Sequence, residues 1–551
     1  MDPNSPSKSK LEINGVIGSR KVLKFGVALL VIMLICVFFV YYMSKTAFFT
    51  VVLDCGSSGT RVNVYEWRKG GYLSDSDLPI LVHSYPDDLV KIDEGYSQKG
   101  GCFYHCVQTE PGLDKFLGNF SGVSEALKPL IRLAELWVPL ERHGETPIFV
   151  LATAGLRRLL DDDAKKILKD VEEVVKGHGF MFRESWIRVL SGKEEAHYGW
   201  VALNYQMGIF GNLSRLPSLG LLDLGGSSLQ VVTEIDDPRE NENVLRARIG
   251  LVEHWILAYS LPAFGLNEGF DRTVAMLSHT QARKEGTLGT FRVSHPCLSS
   301  AFVKNYTCGG CFGKKINDVK ELSTLSREND AHSIVLVGDP NWEKCKGLSR
   351  AVAVNSSNSD WSHLDNGSIC SLSITNGKDI LYPEGSNRSS VRFHALSGFY
   401  AVNTMLNLSP RANLTKIWEK GQQLCEKSWT GSNSSAEQYC FKVPYLASLV
   451  EDALCVADRE IIFGPGNISW TLGAGLMEGK HLWQSSTNSA IGVLSLGNTM
   501  IISSPLILFV VLVCLLLIVY YSQVKLPMPG RKISAVRASL PSYLCPRRQP
   551  A

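Results

Sequence analysis

Apolar residues change their spacing several times along the chain, and each change predicts an element. Thr50-Val-Val-Leu53 is a β-branched and aliphatic run, Arg61-Val-Asn-Val-Tyr65 alternates polar and apolar, and residues 54–60 between them are rich in Gly and Ser. The spacing predicts a strand, an exposed glycine turn and a return strand. Val123, Leu127, Leu130, Leu133, Ala134 and Trp137 recur at helical intervals and predict a helix over 122–140. A buried strand at 147–152, an amphipathic helix at 161–177 and a further helix at 194–205 follow. Residues 220–224 form a second short apolar strand, which enters Gly225-Gly-Ser-Ser228 and returns through 229–235. Residues 294–387 are rich in Cys, Gly, Asn and Ser with little period, and read as a disulfide-tied surface excursion. Helical character returns near 393–406 and 443–453. Strands and helices alternating at this scale imply an α/β architecture with mixed sheets.

Two runs break this pattern. Residues 25–43 and 501–521 lack any formal charge, end in tyrosine pairs and are long enough to cross a bilayer as helices. They are expected to be a signal anchor and a second transmembrane helix, making the chain an integral membrane protein. Residues 1–24 carry five cations against two acids, and 522–551 carry six cations and no acid. These basic tails at 1–24 and 522–551 are expected in the cytosol. The body is then luminal or extracellular, in a membrane of the secretory pathway or at the plasma membrane. All ten Asn-x-Ser/Thr triplets, from Asn119 to Asn467, lie between the two runs. Eleven of the 14 Cys do too, an odd number, and Cys55 at a buried strand end is the expected free thiol. Pairing of the others is not derivable from sequence. The tails also mask a body that is net negative by six beneath the chain's +3. Nucleic-acid binding, which needs clustered positive charge, is thereby excluded. Nothing in the sequence excludes a homo-oligomer.

An internal echo points to the chemistry. Val51-Val-Leu-Asp54-Cys-Gly-Ser-Ser58 and Gly220-Leu-Leu-Asp223-Leu-Gly-Gly-Ser-Ser228 share one plan: buried strand, terminal Asp, Gly/Ser turn. An Asp beside exposed backbone N–H groups can position a hydrated cation while the turn cradles phosphoryl oxygens. Two such loops across a cleft would hold a polyphosphate from both ends. Neither loop fits the phosphate-loop or dinucleotide glycine patterns. Hydrolysis also needs a base, and Gly192-Lys-Glu194-Glu195 at a strand-to-helix change offers two carboxylates. One would be a helix-end charge and the other a general base, and periodicity does not choose between them. His197 is a weaker candidate.

At this point the chain resembles the apyrases, nucleoside triphosphate diphosphohydrolases of the GDA1/CD39 nucleoside phosphatase family, in the plant membrane-bound branch. Five apyrase segments appear in order over about 48–480: Val52-Leu-Asp54-Cys-Gly56-Ser-Ser-Gly-Thr60-Arg61, Ala152-Thr-Ala-Gly155-Leu-Arg157, Gly192-Lys-Glu-Glu195-Ala-His-Tyr198, Leu222-Asp-Leu-Gly-Gly226-Ser-Ser-Leu-Gln230 and Ser469-Trp-Thr-Leu-Gly473-Ala. The chain departs from the family's usual residues at Cys55, Ala196, Ser227 and Leu229. The resemblance implies two ribonuclease-H-like, actin-like domains: 45–190, completed by about 466–498, and 191–465. It implies Glu195 as catalytic base, Ser228 helping to hold the attacking water, and Thr153 lining the reacting phosphate. It further implies Asp54, Asp223 and Gln230 around a Ca²⁺ or Mg²⁺ ion. Ser57, Ser58, Gly59, Thr60 and Arg61 would contact one end of the phosphate chain, and Gly225, Gly226 and Ser227 the other. The activity implied is release of orthophosphate from nucleoside tri- and diphosphates. A luminal nucleoside diphosphatase preferring GDP or UDP is the alternative within the class. A sugar kinase, chaperone or actin-like ATPase, and an inactive receptor-like glycoprotein, are the alternatives outside it.

Overall fold

Strand β1 (Ala47–Cys55) is almost wholly buried, and its apolar run pairs antiparallel with β2 (Thr60–Arg68) without a register shift. The Gly56 N–H donates to the Gly59 carbonyl at 3.0 Å and closes the turn. The computed structural model describes residues 33, 47–69, 78–86, 107–211, 217–235, 242–262, 264–285, 292–308, 332–354, 370, 374–375, 378–379, 391–411, 413–430 and 439–483. Strands β3 (Ile80–Tyr85) and β4 (Gln108–Thr109) pair with β2, while β5 (Ile148–Ala152) runs parallel to β1 and β6 (Ile187–Val189) parallel to β5. The order is β3-β2-β1-β5-β6.

A second sheet repeats this plan. Its hairpin is β7 (Gly220–Leu224) and β8 (Ser228–Glu234), flanked by β9 (Val244–Ile249) and β10 (Val252–Pro262). Between β10 and the rest of that sheet the chain builds two small sheets. One holds β11 (Arg292–His295), β12 (Val303–Cys308) and β13 (His332–Gly338), the other β14 (Ile374–Thr375) and β15 (Lys378–Asp379). Strands β16 (Phe393–Ser397) and β17 (Ile461–Phe463) then complete the order β17-β16-β7-β8-β10-β9. Parallel pairing of β16 to β7 and β17 to β16 mirrors that of β5 and β6 on β1. Asp54 stands opposite Arg61 and beside Leu151; Asp223 stands opposite Gln230 and beside Leu396. The echo in the sequence is therefore a duplication of strand topology.

Three apolar layers hold the sheets. Helices Phe120–Trp137 and Asp161–Lys176 pack on one face of the first sheet, where Val51, Leu53 and Cys55 meet Leu127, Ile131 and Val171. Gly398–Met405 and Tyr439–Ser448 cover the corresponding face of the second, against Leu222, Leu224, Leu229 and Val231. Between the sheets, helices Gly192–Gln206 and Trp470–Glu478 share one core with Val52, Leu151, Leu221 and Val232.

Three expectations are corrected here. Among the described residues no helix is long and apolar enough to cross a membrane. The two spans at 25–43 (Met33 apart) and 501–521, with the tails at 1–24 and 522–551, lie outside the described residues. The fold of the described residues thus includes no flanking transmembrane helix, and the integral-membrane role and compartment drawn from the two runs are withdrawn. Second, residues 393–397 form strand β16, and only 398–405 are helical. A five-residue segment is too short to carry a period of its own, and its parallel partner β7 decides it. Third, the cysteine-rich excursion contains the β11–β13 sheet, the helix Trp342–Ala353 and a core built on Val293, Ile334, Leu336 and Leu348. Strand β10 and the helix Leu266–Glu285 add to the elements expected from the sequence. Disulfides join Cys297 to Cys345, Cys370 to Cys455 and Cys425 to Cys440. Cys55 is free and buried, as expected. Cys102, Cys106 and Cys311 lie outside the described residues.

Candidate functional site

Strand alternation aims the two aspartates. On β1, Val51, Leu53 and Cys55 face the outer core, so Val52 and Asp54 face the layer between the sheets. On β7, Leu222 and Leu224 face outward, which turns Leu221 and Asp223 inward. The same parity turns Gln230 and Ser228 inward beside Val232, while Leu229 packs in the outer core. Both acids stand where their strands end and the central helices no longer fill the layer. There a cavity of about 250 Å³ opens, lined by both Asp, Ser57, Ser58, Arg61, Thr153, Glu195, Gly225, Gly226, Ser227, Ser228 and Gln230.

The two hairpin loops touch across it. Ser57 Oγ and Ser227 Oγ share a hydrogen bond of 2.8 Å. Arg158 Nη2 donates to Ser227 Oγ at 2.7 Å, and Arg158 is ion-paired with Glu268. The second turn closes like the first, Gly225 N–H donating to the Ser228 carbonyl at 2.9 Å. Close approach explains one glycine behind the first loop: a Cβ on Gly155 would stand 2.9 Å from Ser57 Cα. Gly59 and Thr60, expected as phosphate contacts, do not line the cavity. Gly59 is packed on β4, where a Cβ would come within 2.5 Å of the Thr109 carbonyl oxygen.

Glu194 and Glu195 separate cleanly. Ser191 caps the helix Gly192–Gln206: its hydroxyl accepts from the Glu194 N–H at 3.2 Å, and its own N–H donates to Glu194 Oε2 at 2.8 Å. Arg188 adds an ion pair to Glu194 at 2.6 Å. Burial would raise the Glu194 pKa, but the bonds from Ser191 and Arg188 win and hold it below the usual carboxylate value. Glu194 is a capping-box carboxylate. Glu195, one position on, points into the cavity and is paired with Arg157. Burial pushes Glu195 up to about 7, against the pull of Arg157 and with the push of Asp54 and Asp223. The Ser191-x-x-Glu194 pattern in the sequence already carried the distinction. His197 does not line the cavity, and burial drives its imidazole down to about 4.

The donor set fits a hard, hydrated cation. Among the described residues no group of three or more His, Cys, Asp or Glu side chains could hold a metal ion by direct ligation. Asp54 and Asp223 are both buried acids, however. Burial pushes Asp223 up to about 6, opposed by a hydrogen bond from Ser397 and reinforced by the charge of Asp54. Burial also raises Asp54, against the charge and hydrogen bond of Arg61. Gln230 Nε2 donates to Ser228 Oγ at 2.7 Å, which leaves the carboxamide oxygen as its acceptor. Two desolvated carboxylates and an amide oxygen match the all-oxygen preference of Ca²⁺ or Mg²⁺, with waters completing the shell. Sequence reasoning missed Ser397, Ser469 and Trp470 on the cavity wall and Arg157 behind Glu195. Arg157 lies inside a quoted motif, whereas Ser397 has no local signal.

The family model described as GDA1/CD39 (nucleoside phosphatase) matches residues 41–489. Probable apyrase 7 of Arabidopsis thaliana is 38% identical over 520 residues, covering 91% of this chain and 66% of that protein. The chain thus spans just under two thirds of that relative's length. A nucleoside-diphosphatase, mig-23, of Caenorhabditis elegans is 24% identical over 77% of this chain and 76% of its own. Among solved structures, the nucleoside triphosphate hydrolases of Neospora caninum align with a TM-score of 0.51 at 13% identity, over 86% of this chain and 100% of theirs, a likeness of fold. With its duplicated hairpins around one carboxylate-lined cavity, the chain belongs to the GDA1/CD39 nucleoside phosphatase family.

Proposed function

We propose that the chain is an apyrase: it hydrolyses the terminal phosphoanhydride bond of nucleoside tri- and diphosphates and releases orthophosphate. One observation carries this reading. Of the two adjacent glutamates, Glu194 is consumed by a helix cap, and Glu195 lines the space between two loops of one design. In the proposed reaction a water oxygen attacks the terminal phosphorus while the bridging P–O bond breaks. Glu195 accepts the proton. Ser228 accepts a hydrogen bond from Gln230, so its own proton is available to orient that water beside Glu195. Thr153 would line the reacting phosphate. Ser57, Ser58 and Arg61 would bind one end of the phosphate chain, and Gly225, Gly226 and Ser227 the other. Asp54, Asp223 and Gln230 would hold a Ca²⁺ or Mg²⁺ through its waters. When bound, that cation neutralises charge on the phosphates. The two halves, 45–190 with about 466–498 and 191–465, would be the duplicated scaffold that presents one loop each.

The name of the nematode relative supports one second reading, a preference for diphosphates. Phosphate release from ATP, ADP, GDP and UDP by the purified chain, with and without chelator, tests both. Comparable turnover of tri- and diphosphates supports the apyrase, and turnover of GDP or UDP alone supports the diphosphatase. No metal-dependent release from any of the four would sink the enzyme reading and favour an inactive receptor-like module.

A further inference from the structure

Strand β16 ends against its own alternation. Phe393 and Ala395 face the outer core and Leu396 the core between the sheets, so Ser397 should face outward again. Instead its hydroxyl bonds to the carboxylate of Asp223, which faces inward, and its side chain lines the cavity. The backbone explains the reversal: Ser397 has φ 53° and ψ −116°. That conformation favours glycine, and an L-residue in it is strained. Gly398, the next residue, is fixed by packing, since a Cβ there would meet the Leu224 carbonyl oxygen at 2.7 Å. A glycine at 397 would make the same turn without strain. Only the serine delivers a hydroxyl to Asp223. The equivalent strand end in the first sheet needs no such device. Thr153 follows Ala152 of β5 with φ −111° and reaches the cavity by ordinary alternation beside Phe149 and Leu151.

We infer that Ser397 is a positioning residue for the cation: its hydroxyl fixes one oxygen of Asp223, so that the carboxylate presents the other toward the hydrated ion. The inference rests on the cation role of Asp223 proposed above, and it assigns the backbone strain at 397 to cation binding.

The test uses Mn²⁺ as probe, titrated into the full chain and followed by electron paramagnetic resonance with a saturating imido-linked ATP analogue present. Denaturation midpoints of the chelator-treated proteins are measured alongside. Ser397→Gly should weaken Mn²⁺ by about tenfold or more, the usual cost of losing a partner behind a metal ligand. Its metal-free midpoint should equal or exceed that of the native chain, because the strain is relieved. Ser397→Ala keeps the strain and loses the hydroxyl; it should weaken Mn²⁺ equally, with a midpoint no higher than native. Native Mn²⁺ affinity in Ser397→Gly would overturn the inference, as would a fall in its affinity that merely follows a collapsed metal-free midpoint. Asp223→Asn separates this failure from that of the reading beneath it. If Asp223→Asn binds Mn²⁺ as the native chain does, the cation role falls and the Ser397 role with it. If Asp223→Asn binds weakly while both Ser397 variants bind normally, only the Ser397 role falls.

Discussion

Replacing Glu195 by Gln removes one negative charge from a cavity that already holds Asp54 and Asp223, and keeps the side chain's shape. Two consequences run in opposite directions. As the proposed base, Glu195 contributes roughly 10²–10⁴-fold, so kcat should fall by about that factor while nucleotide binding survives. Stability should change with the other sign. In the metal-free protein the Glu195 pKa is raised from 4.5 to about 7, so between those pH values the folded chain holds a proton that the unfolded chain has released. Stability therefore falls as pH rises through that window and stays low above it. A raised acid of this size costs on the order of 3 kcal/mol at pH 8, at about 1.4 kcal/mol per tenfold in acidity. The opposing pull of Arg157 is already contained in that raised value, so Glu195→Gln should gain up to about 3 kcal/mol at pH 8. Glu194→Gln is the control: it weakens a half-exposed pair with Arg188 worth about 0–1 kcal/mol and should leave turnover close to native. Phosphate release under saturating ATP gives kcat, and urea melts at pH 5 and pH 8 in chelator give the stability term. Near-native kcat in Glu195→Gln with a collapse in Glu194→Gln would refute the assignment of the base. An equal loss of stability at both pH values would refute the electrostatic argument.

Chelation should abolish phosphate release, and Asp223→Asn should raise the Mg²⁺ concentration needed for half-maximal turnover; full turnover in EDTA after metal stripping would exclude the cation. Leu229→Thr would bury a hydroxyl in the outer core, away from Gln230, so it should cost roughly 1–3 kcal/mol in a urea melt and leave kcat unchanged. Altered kcat at native stability would mean the side chain serves the cavity after all. Gly155→Ala should push the Ser57 backbone and lower kcat/KM by roughly tenfold. Gly144→Ala, whose Cβ meets nothing within 4 Å, should leave kcat/KM native; equal effects of the two would show that packing behind the loop does not set its position.

The legible parts were those whose determinants are local. Both hairpins, with Asp at the strand end and a Gly/Ser turn after it, could be read because the alternation and the turn chemistry lie within fifteen residues. A local signal also separates Glu194 from Glu195, since the cap partner Ser191 is three residues away, but helical period alone leaves the two glutamates open. What escaped depends on distant neighbours. Phe393–Ser397 is a strand because β7 and β17 flank it from 173 and 68 residues away, counted between Gly220, Phe393 and Ile461. The close approach of the distant Thr109 carbonyl, which leaves no room for a Cβ at Gly59, has no local signal either. Arg158 acquires its partner only when the two sheets are assembled, and Ser397 only when β16 pairs with the distant β7.

The alternation that aims Asp54 and Asp223 also makes the site sensitive to chain length. Deleting or inserting one residue in β7 ahead of Asp223 would, without a compensating bulge, send the carboxylate into the apolar layer and a leucine into the cavity. A substitution at Leu222 or Val231 changes only packing. Drift by replacement can therefore rewrite the outer faces of both hairpins, while single-residue length changes ahead of either aspartate are closed to the lineage. Divergence in this architecture should collect its insertions in the connections between strands, as the long segment between β10 and β16 illustrates.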